Sequence, residues 1–327
     1  MRRRDVIKAI AGSAAWPLAA NAQPAERVRR IGMLLSLSPG PEYQSWVDAL
    51  LQTLAQSGWT VGKNIQVDIR WARGNAADVR RHAAELAAVA PDVIVAHGAS
   101  VVGPLLQATR AVPIVFPIAS DPVGAGFVES LARPGGNATG FLSTEFSMAA
   151  KWLELLKEIA PRVTRAAVLR DANQGAGQSL FAAVQTAGPA LRVEVTPIAT
   201  SDASAIERGV AAFARSPGGG LVLTGGGNST RYSDLIISLA ARHKLPAVYY
   251  ERLFTASGGL VAYGSDYINH YRLAAEYVDR ILKGEKPGDL PVQAPTKYRL
   301  TINLKTAKAL GLEVPPALLA RADEVIE

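Results

Sequence analysis

The sequence predicts an α/β protein of two doubly wound parallel-sheet lobes joined by a multi-crossing hinge. Three observations carry that expectation. Short apolar runs alternate with amphipathic helical segments, the pattern of a parallel sheet covered on both faces. The alternation halts near Gly140 and then restarts. A long tail follows the second round, as it does when a chain crosses back between lobes. The 327 residues are 49% apolar and 19% charged, which suits about two domains with sizeable cores and excludes intrinsic disorder.

The first round begins with Ile31–Leu35, an apolar run ending in a Ser/Pro/Gly loop: a buried strand. Glu42–Gln56 follows as a helix, with Trp46, Leu50 and Leu54 on one face and Gly58 stopping it. Ile65–Ile69 alternates as a strand does, Asp78–Ala90 is helical, and Pro91 ends it. Val93–Val95 and Ile114–Phe116 are strands either side of a helix over Val101–Arg110. In the second round, helices over 148–159, 178–186, 203–214 and 232–243 separate strands at 166–169, 193–195, 221–223 and 247–249. The tail holds a strand at Leu260–Tyr263 and a helix from Asp266 to Lys283. A passage with Pro287, Pro291 and Pro295 then leads to an alternating strand over Tyr298–Asn303 and two short helices. The expected division is 30–142 plus 259–289 for lobe I and 143–258 plus 290–327 for lobe II, with hinge crossings near Ser143, Gly258 and Pro291.

Residues 1–22 read as an export signal. Arg2, Arg3 and Arg4 form a basic start, Ile10–Ala20 is too short an apolar run to span a bilayer, and Ala20-Asn21-Ala22 fits a small-x-small cleavage site. Arg3-Arg4-Asp5-Val6-Ile7-Lys8 also looks like a twin-arginine signal, with ordinary Sec export as the alternative. Residues 23–29 are expected to be a tether, and the mature chain a periplasmic one. The signal holds four cations and one acid, so its removal leaves +4 of the formal +7. Without a clustered basic face, nucleic acid is not an expected partner.

Catalytic patterns are missing. There is no Cys, which removes thiol nucleophiles and thiolate metal sites. No G-x-S-x-G elbow occurs, and the glycines at 218–220 and 225–227 fit neither phosphate-binding fingerprint. The four histidines show no ligand spacing, so no metal and no cofactor is expected. An exported two-lobed chain with no catalytic constellation reads as a binding protein, with its ligand in the cleft between the lobes.

Several segments then carry a family resemblance: Gly58–Ile65 with Arg70-Trp71-Ala72, Asp121–Gly126, Arg133–Gly140, Gly258–Gly264, Leu290-Pro291-Val292, Ile302–Ala307 and Leu319–Ile326. Over about Arg30–Glu327 the chain resembles the substrate-binding proteins of ABC transporters, in the group that includes tryptophan and tyrosine receptors. The resemblance implies a type I periplasmic-binding-protein fold, a small-molecule ligand (an amino acid, aromatic ones included), and an ABC permease of the inner membrane as partner. A monomer is expected, and the missing catalytic constellation gives the expectation of no enzyme activity. The alternatives are a ligand-sensing receptor for a signalling partner and an exported enzyme.

Candidate ligand contacts follow from local chemistry. Ser100 opens a helix whose free N–H groups suit a carboxylate, and His97 ends the strand before it. Ser120 and Asp121 follow the next strand. Asp121, Asp171 and Asp266 are the candidate partners for an ammonium group. Thr224 sits in a glycine-rich loop of the second lobe, and Tyr250 and Tyr263 end strands near the cleft. Truncating the ammonium partner is expected to harm binding more than Ser100→Ala, with Asp121 as the leading candidate.

Overall fold

The computed structural model describes residues 27–172 and 175–327, so the signal expected at 1–22 and most of the tether lie outside the described residues. The first lobe is a parallel sheet of β1 (Arg29–Leu35), β2 (Ile65–Trp71), β3 (Val93–His97), β4 (Ile114–Ala119) and β5 (Ala138–Leu142), in the order β2-β1-β3-β4-β5. The connecting helices are α1 (Pro41–Gln56), α2 (Ala76–Val89) and α3 (Ala99–Ala108). β3 and β4 are buried along their whole length, as their unbroken apolar sequence requires when both faces are covered. On one face Trp46, Leu50 and Leu54 of α1 pack over β1 and β3. On the other, Val79, Ala83 and Leu86 of α2 and Val101, Val102 and Leu105 of α3 close a second core.

The second lobe begins with α4 (Met148–Ile159) and alternates through β6 (Arg165–Arg170), α5 (Gly175–Leu191), β7 (Glu194–Ala199), α6 (Ala203–Phe213) and β8 (Gly219–Leu223). It continues with α7 (Gly227–Arg231), α8 (Ser233–Arg242), β9 (Ala247–Tyr249), α9 (Arg252–Ala256) and β10 (Val261–Ser265). After α10 (Tyr267–Leu282) the tail adds β11 (Tyr298–Asn303), α11 (Leu304–Ala309), α12 (Pro316–Leu319) and β12 (Glu324–Ile326). The sheet order is β12-β11-β10-β9-β8-β6-β7, parallel except where β10 meets β11.

Pairing moves two of the expected boundaries. β10 belongs to the second sheet, bonded to β9 on one side and β11 on the other, so the crossing back falls at Ser265–Asp266 rather than near Gly258. α10 is the element that returns to the first lobe. Its Tyr271, Ala274 and Val278 join the core under α1, and His270 Nδ1 donates to Pro117 O at 3.1 Å. The Pro-rich passage stays with the first lobe well past residue 290. Thr139 Oγ1 donates to Leu290 O, Val292 N–H to Leu131 O, and Gln293 exchanges backbone bonds with Gly140 and Leu142. The third crossing therefore lies between Gln293 and Tyr298, where the chain next enters the second sheet. The first crossing follows β5 at Ser143.

Other differences have local causes. β5 (ATGFL) was not foreseen, because a Thr and a Gly interrupt its apolar run. Its Gly140, at φ +156°, is required: a Cβ there would stand 2.0 Å from Phe116 O of the neighbouring strand. The helix expected over 232–243 is α8, and a further short helix, α7, precedes it with Tyr232 between them. α9 and β12 are too short to leave a periodic signal.

Candidate functional site

A cavity of about 650 Å³ lies between the lobes at the carboxyl ends of their strands, the place where open α/β sheets offer a crevice. The first lobe contributes the loop after β1, the first turns of α1, the His97–Ser100 turn into α3, and Ser120 after β4. The second contributes Asp171 after β6, Gly225–Asn228 after β8, and Tyr250 and Glu251 after β9. Ser143 and Gly264 form the hinge side. There Ser143 Oγ meets Ser120 Oγ at 3.0 Å, and Ser265 Oγ donates to Ser143 O. Gly264 allows β10 to run close under β9, since a Cβ would collide with Tyr250 O at 1.7 Å.

The first-lobe wall is aromatic. Trp46 is buried, with Tyr43 edge-on at 5.0 Å, Tyr267 edge-on at 5.2 Å and His97 stacked at 5.5 Å between ring centroids. His97 Nδ1 lies 2.8 Å from the Tyr271 hydroxyl, and burial pushes its imidazole pKa down to about 4, so at neutral pH the ring is uncharged. Beyond it, Gly98 at φ +89° turns the chain into α3, whose first N–H groups have no intrahelical carbonyl to reach. Across the cavity the Tyr250 hydroxyl meets Thr230 Oγ1 at 2.9 Å.

Five residues singled out in the sequence line this cavity: His97, Ser100, Ser120, Asp171 and Tyr250. Four do not. Asp121 accepts the Gly124 N–H at 2.8 Å and shapes a turn. Asp266 caps α10, accepting the Asn269 N–H at 3.1 Å. Thr224 is fully buried, and its hydroxyl donates to Leu169 O at 3.0 Å. Tyr263 stacks on Tyr298 at 5.7 Å. In each case the polar or aromatic group is engaged by its own lobe, so the short-range reading, cap or packing, prevails over the ligand reading.

Tyr43, Trp46, Tyr267, Arg231 and Glu251 line the cavity and were missed. Tyr43 and Trp46 carried a usable signal, because they share a face of the helix that begins just past the first strand. Glu251 carried none. It is 8% exposed, and its Oε1 has no hydrogen-bond partner. Burial, reinforced by the like charge of Glu42, pushes its carboxyl pKa up to about 8.

The next residue bridges the lobes. Arg252 donates to Glu42 of the first lobe at 3.0 Å and holds Glu324 of its own lobe through two bonds of 2.6 and 2.7 Å. The cavity can therefore enclose a small molecule with a planar apolar part and charged or polar ends. Among the described residues no cluster of three or more His, Cys, Asp or Glu could hold a metal, and no helix is long and apolar enough to cross a membrane.

A family model described as "ABC transporter substrate binding protein" matches residues 32–326. A tyrosine-binding protein of Clostridioides difficile is 24% identical over 269 residues, 80% of this chain and 75% of that protein. The structure of an ABC domain in complex with L-Trp from Streptococcus pneumonia superposes with a TM-score of 0.84 at 23% identity, covering 91% of this chain and 99% of that one. The ligand-free, open structure of a substrate binding protein with adhesive properties from Clostridium difficile reaches 0.70 at 23% identity, over 91% and 99%.

Proposed function

This chain belongs to the ABC transporter substrate binding protein family, and from that premise we propose that it is the periplasmic component of an ABC importer that captures an amino acid between its lobes and delivers it to a permease. The observation that carries this reading is the cavity between the lobes, with Tyr43, Trp46 and Tyr267 on one wall and polar groups from both lobes around it. Its volume exceeds that of any single amino acid, and the aromatic wall suits a planar side chain. The tyrosine-binding relative and the L-Trp complex support the same ligand class.

In this reading the ligand carboxylate sits at the start of α3, where unpaired N–H groups favour an anion and the Ser100 hydroxyl adds a donor. All walls come from one chain, so a monomer suffices for binding. Closure supplies the specificity, because only the closed form brings both lobes to the ligand. No step of the reading uses a nucleophile or cofactor, and the protein acts as a binder rather than an enzyme.

A thermal-shift screen of the mature protein against amino acids, sugars and small carboxylic acids tests the reading. Stabilisation by one or a few amino acids is the expected outcome. Stabilisation by neutral sugars or dicarboxylates alone overturns it. Export is checked separately: the mass of the periplasmic protein should correspond to Gln23 as first residue, and a mass that retains the N-terminal arginines refutes cleavage after Ala22.

A further inference from the structure

Resting on the amino-acid reading, we propose that Glu251 is the residue that accepts the ligand's ammonium group, making this a site that selects primary amines over their des-amino analogues. The sequence offered three aspartates for that role, and the structure withdraws two of them, since Asp121 and Asp266 spend their carboxylates on backbone N–H groups outside the cavity. Glu251 occupies the opposite situation. It lies two residues past β9, at the start of α9 on the cavity wall, more than nine-tenths buried; the Tyr250 hydroxyl is its side-chain hydrogen-bond partner, and Oε1 is left unpartnered. No ion pair of Glu251 is formed among the described residues. The adjacent cation, Arg252, is turned to Glu42 and Glu324 instead.

A buried acceptor with no partner costs free energy that folding alone does not recover. An ammonium group supplies what is absent: a positive charge and three donors. The surroundings suit a cation as well. Tyr43 and Tyr267 from the first lobe and Tyr250 from the second line the same cavity, and ring faces attract ammonium groups. Glu42 adds a second negative charge nearby.

The charged and titratable groups that interact with Glu251 are Glu42 and Tyr43 on α1, Tyr267 on α10 and Tyr250 beside it, whose hydroxyl hydrogen-bonds the carboxyl and partly offsets the upward shift; Arg252 follows in sequence. Burial and Glu42 hold the empty-site carboxyl at about 8, so it is mostly protonated at neutral pH. Arrival of an ammonium group favours the carboxylate, and the proton leaves to solvent. Binding near pH 7 therefore releases a proton, which a des-amino ligand does not cause.

The test is calorimetry on the full mature chain with L-tyrosine and L-tryptophan and with their des-amino analogues, 3-(4-hydroxyphenyl)propionate and indole-3-propionate. The unaltered protein should prefer the amines by about 100-fold or more, the scale expected when a buried charge loses its partner. Glu251→Gln keeps the side-chain volume and should bring that preference below about tenfold, while binding of the des-amino analogues stays or improves. Because the readout is a ratio within one variant, a general loss of folding does not imitate it. Repeating the titration in two buffers of different ionisation enthalpy should show proton release in the unaltered protein and none in Glu251→Gln. If the amines bind and Glu251→Gln keeps their full preference, the inference fails while the amino-acid reading stands. If neither amine binds the unaltered protein and the screen finds no other amino acid, both fail together; if it finds another, that amino acid and its des-amino analogue replace the probes.

Discussion

Arg252 of the second lobe donates to Glu42 of the first at 3.0 Å, and this is an ion pair between lobes that meet through no continuous sheet. The guanidinium is pre-positioned by its paired bonds to Glu324, so reaching Glu42 costs little further side-chain entropy. Both partners stay about one-third exposed, at 34% and 27%, which limits the pair to the range of surface bridges. It holds the two lobes together modestly at this point.

Glu42→Gln removes the pair and should leave the isolated lobes unchanged. Amino-acid affinity should fall about two- to fivefold, corresponding to about 0.5–1 kcal/mol of closure. High salt should erase the difference between variant and unaltered protein. Calorimetry at low and high ionic strength reads this, and small-angle scattering should show contraction on binding in both proteins. An unchanged affinity at low salt means that Arg252–Glu42 does not contribute to closure.

The raised carboxyl of Glu251 sets a stability slope of definite sign. Its folded pKa of about 8 lies above the unfolded value, so the folded state holds the proton more tightly. Stability from this group is complete below about pH 4.5 and is lost as pH rises toward 8. Glu251→Gln should flatten that slope and be the more stable protein at pH 8.5, by several kcal/mol at most. Urea titrations between pH 6.5 and 8.5 check this; parallel curves for the two proteins rule out a neutral buried carboxyl.

His97 and His270 act in the reverse sense. Burial depresses both imidazoles to about 4, so the unfolded chain takes up protons more readily as pH falls. Their contribution is present above about pH 6.5 and is lost on the way down through pH 4, up to about 3 kcal/mol for each. The Glu251 slope opposes them between pH 4.5 and 6.5. The histidine effect should therefore stand out in Glu251→Gln, where urea midpoints ought to drop steadily below pH 6.5. A flat profile there would falsify the burial of neutral imidazoles.

Ser100→Ala and Asp121→Ala should separate affinity from stability. Losing a hydroxyl bond to a carboxylate weakens binding by about 1.5–3 kcal/mol while leaving the fold alone. Asp121→Ala removes the bond to Gly124 and should cost about 1 kcal/mol of stability, with affinity unchanged. This reverses the order expected from sequence, where Asp121 was the leading ammonium partner. Thermal unfolding and calorimetry on both variants decide; an affinity loss in Asp121→Ala with intact stability restores the sequence reading.

The alternation of apolar strands and amphipathic helices was legible because it is written in local periodicity. Ile31–Leu35 and Val93–Val95 have to be buried on both faces, and Trp46, Leu50 and Leu54 have to face a sheet, whatever the remaining chain does. Part of the cavity wall was legible for a similar reason. His97, Ser100, Ser120 and Asp171 follow parallel strands directly, and the carboxyl ends of such strands converge on one crevice.

The sequence by itself thus determined two α/β lobes, their family and the strand-end loops that border the cavity, all consequences of short-range pattern. Tertiary structure decided which polar groups remained available inside it. Asp121, Asp266 and Thr224 found backbone partners within reach, as short polar side chains at turns and helix starts do. It also decided that β10 pairs in the second sheet, which depends on β9 and β11, the latter more than thirty residues further along the chain. Glu251 became a buried acid with one oxygen unpartnered because β9 ends at the cavity while α1 and α10 bring Glu42, Tyr43 and Tyr267 over it from the other lobe. Burial is a property of what surrounds a residue, and those surroundings come from segments that only the fold brings together.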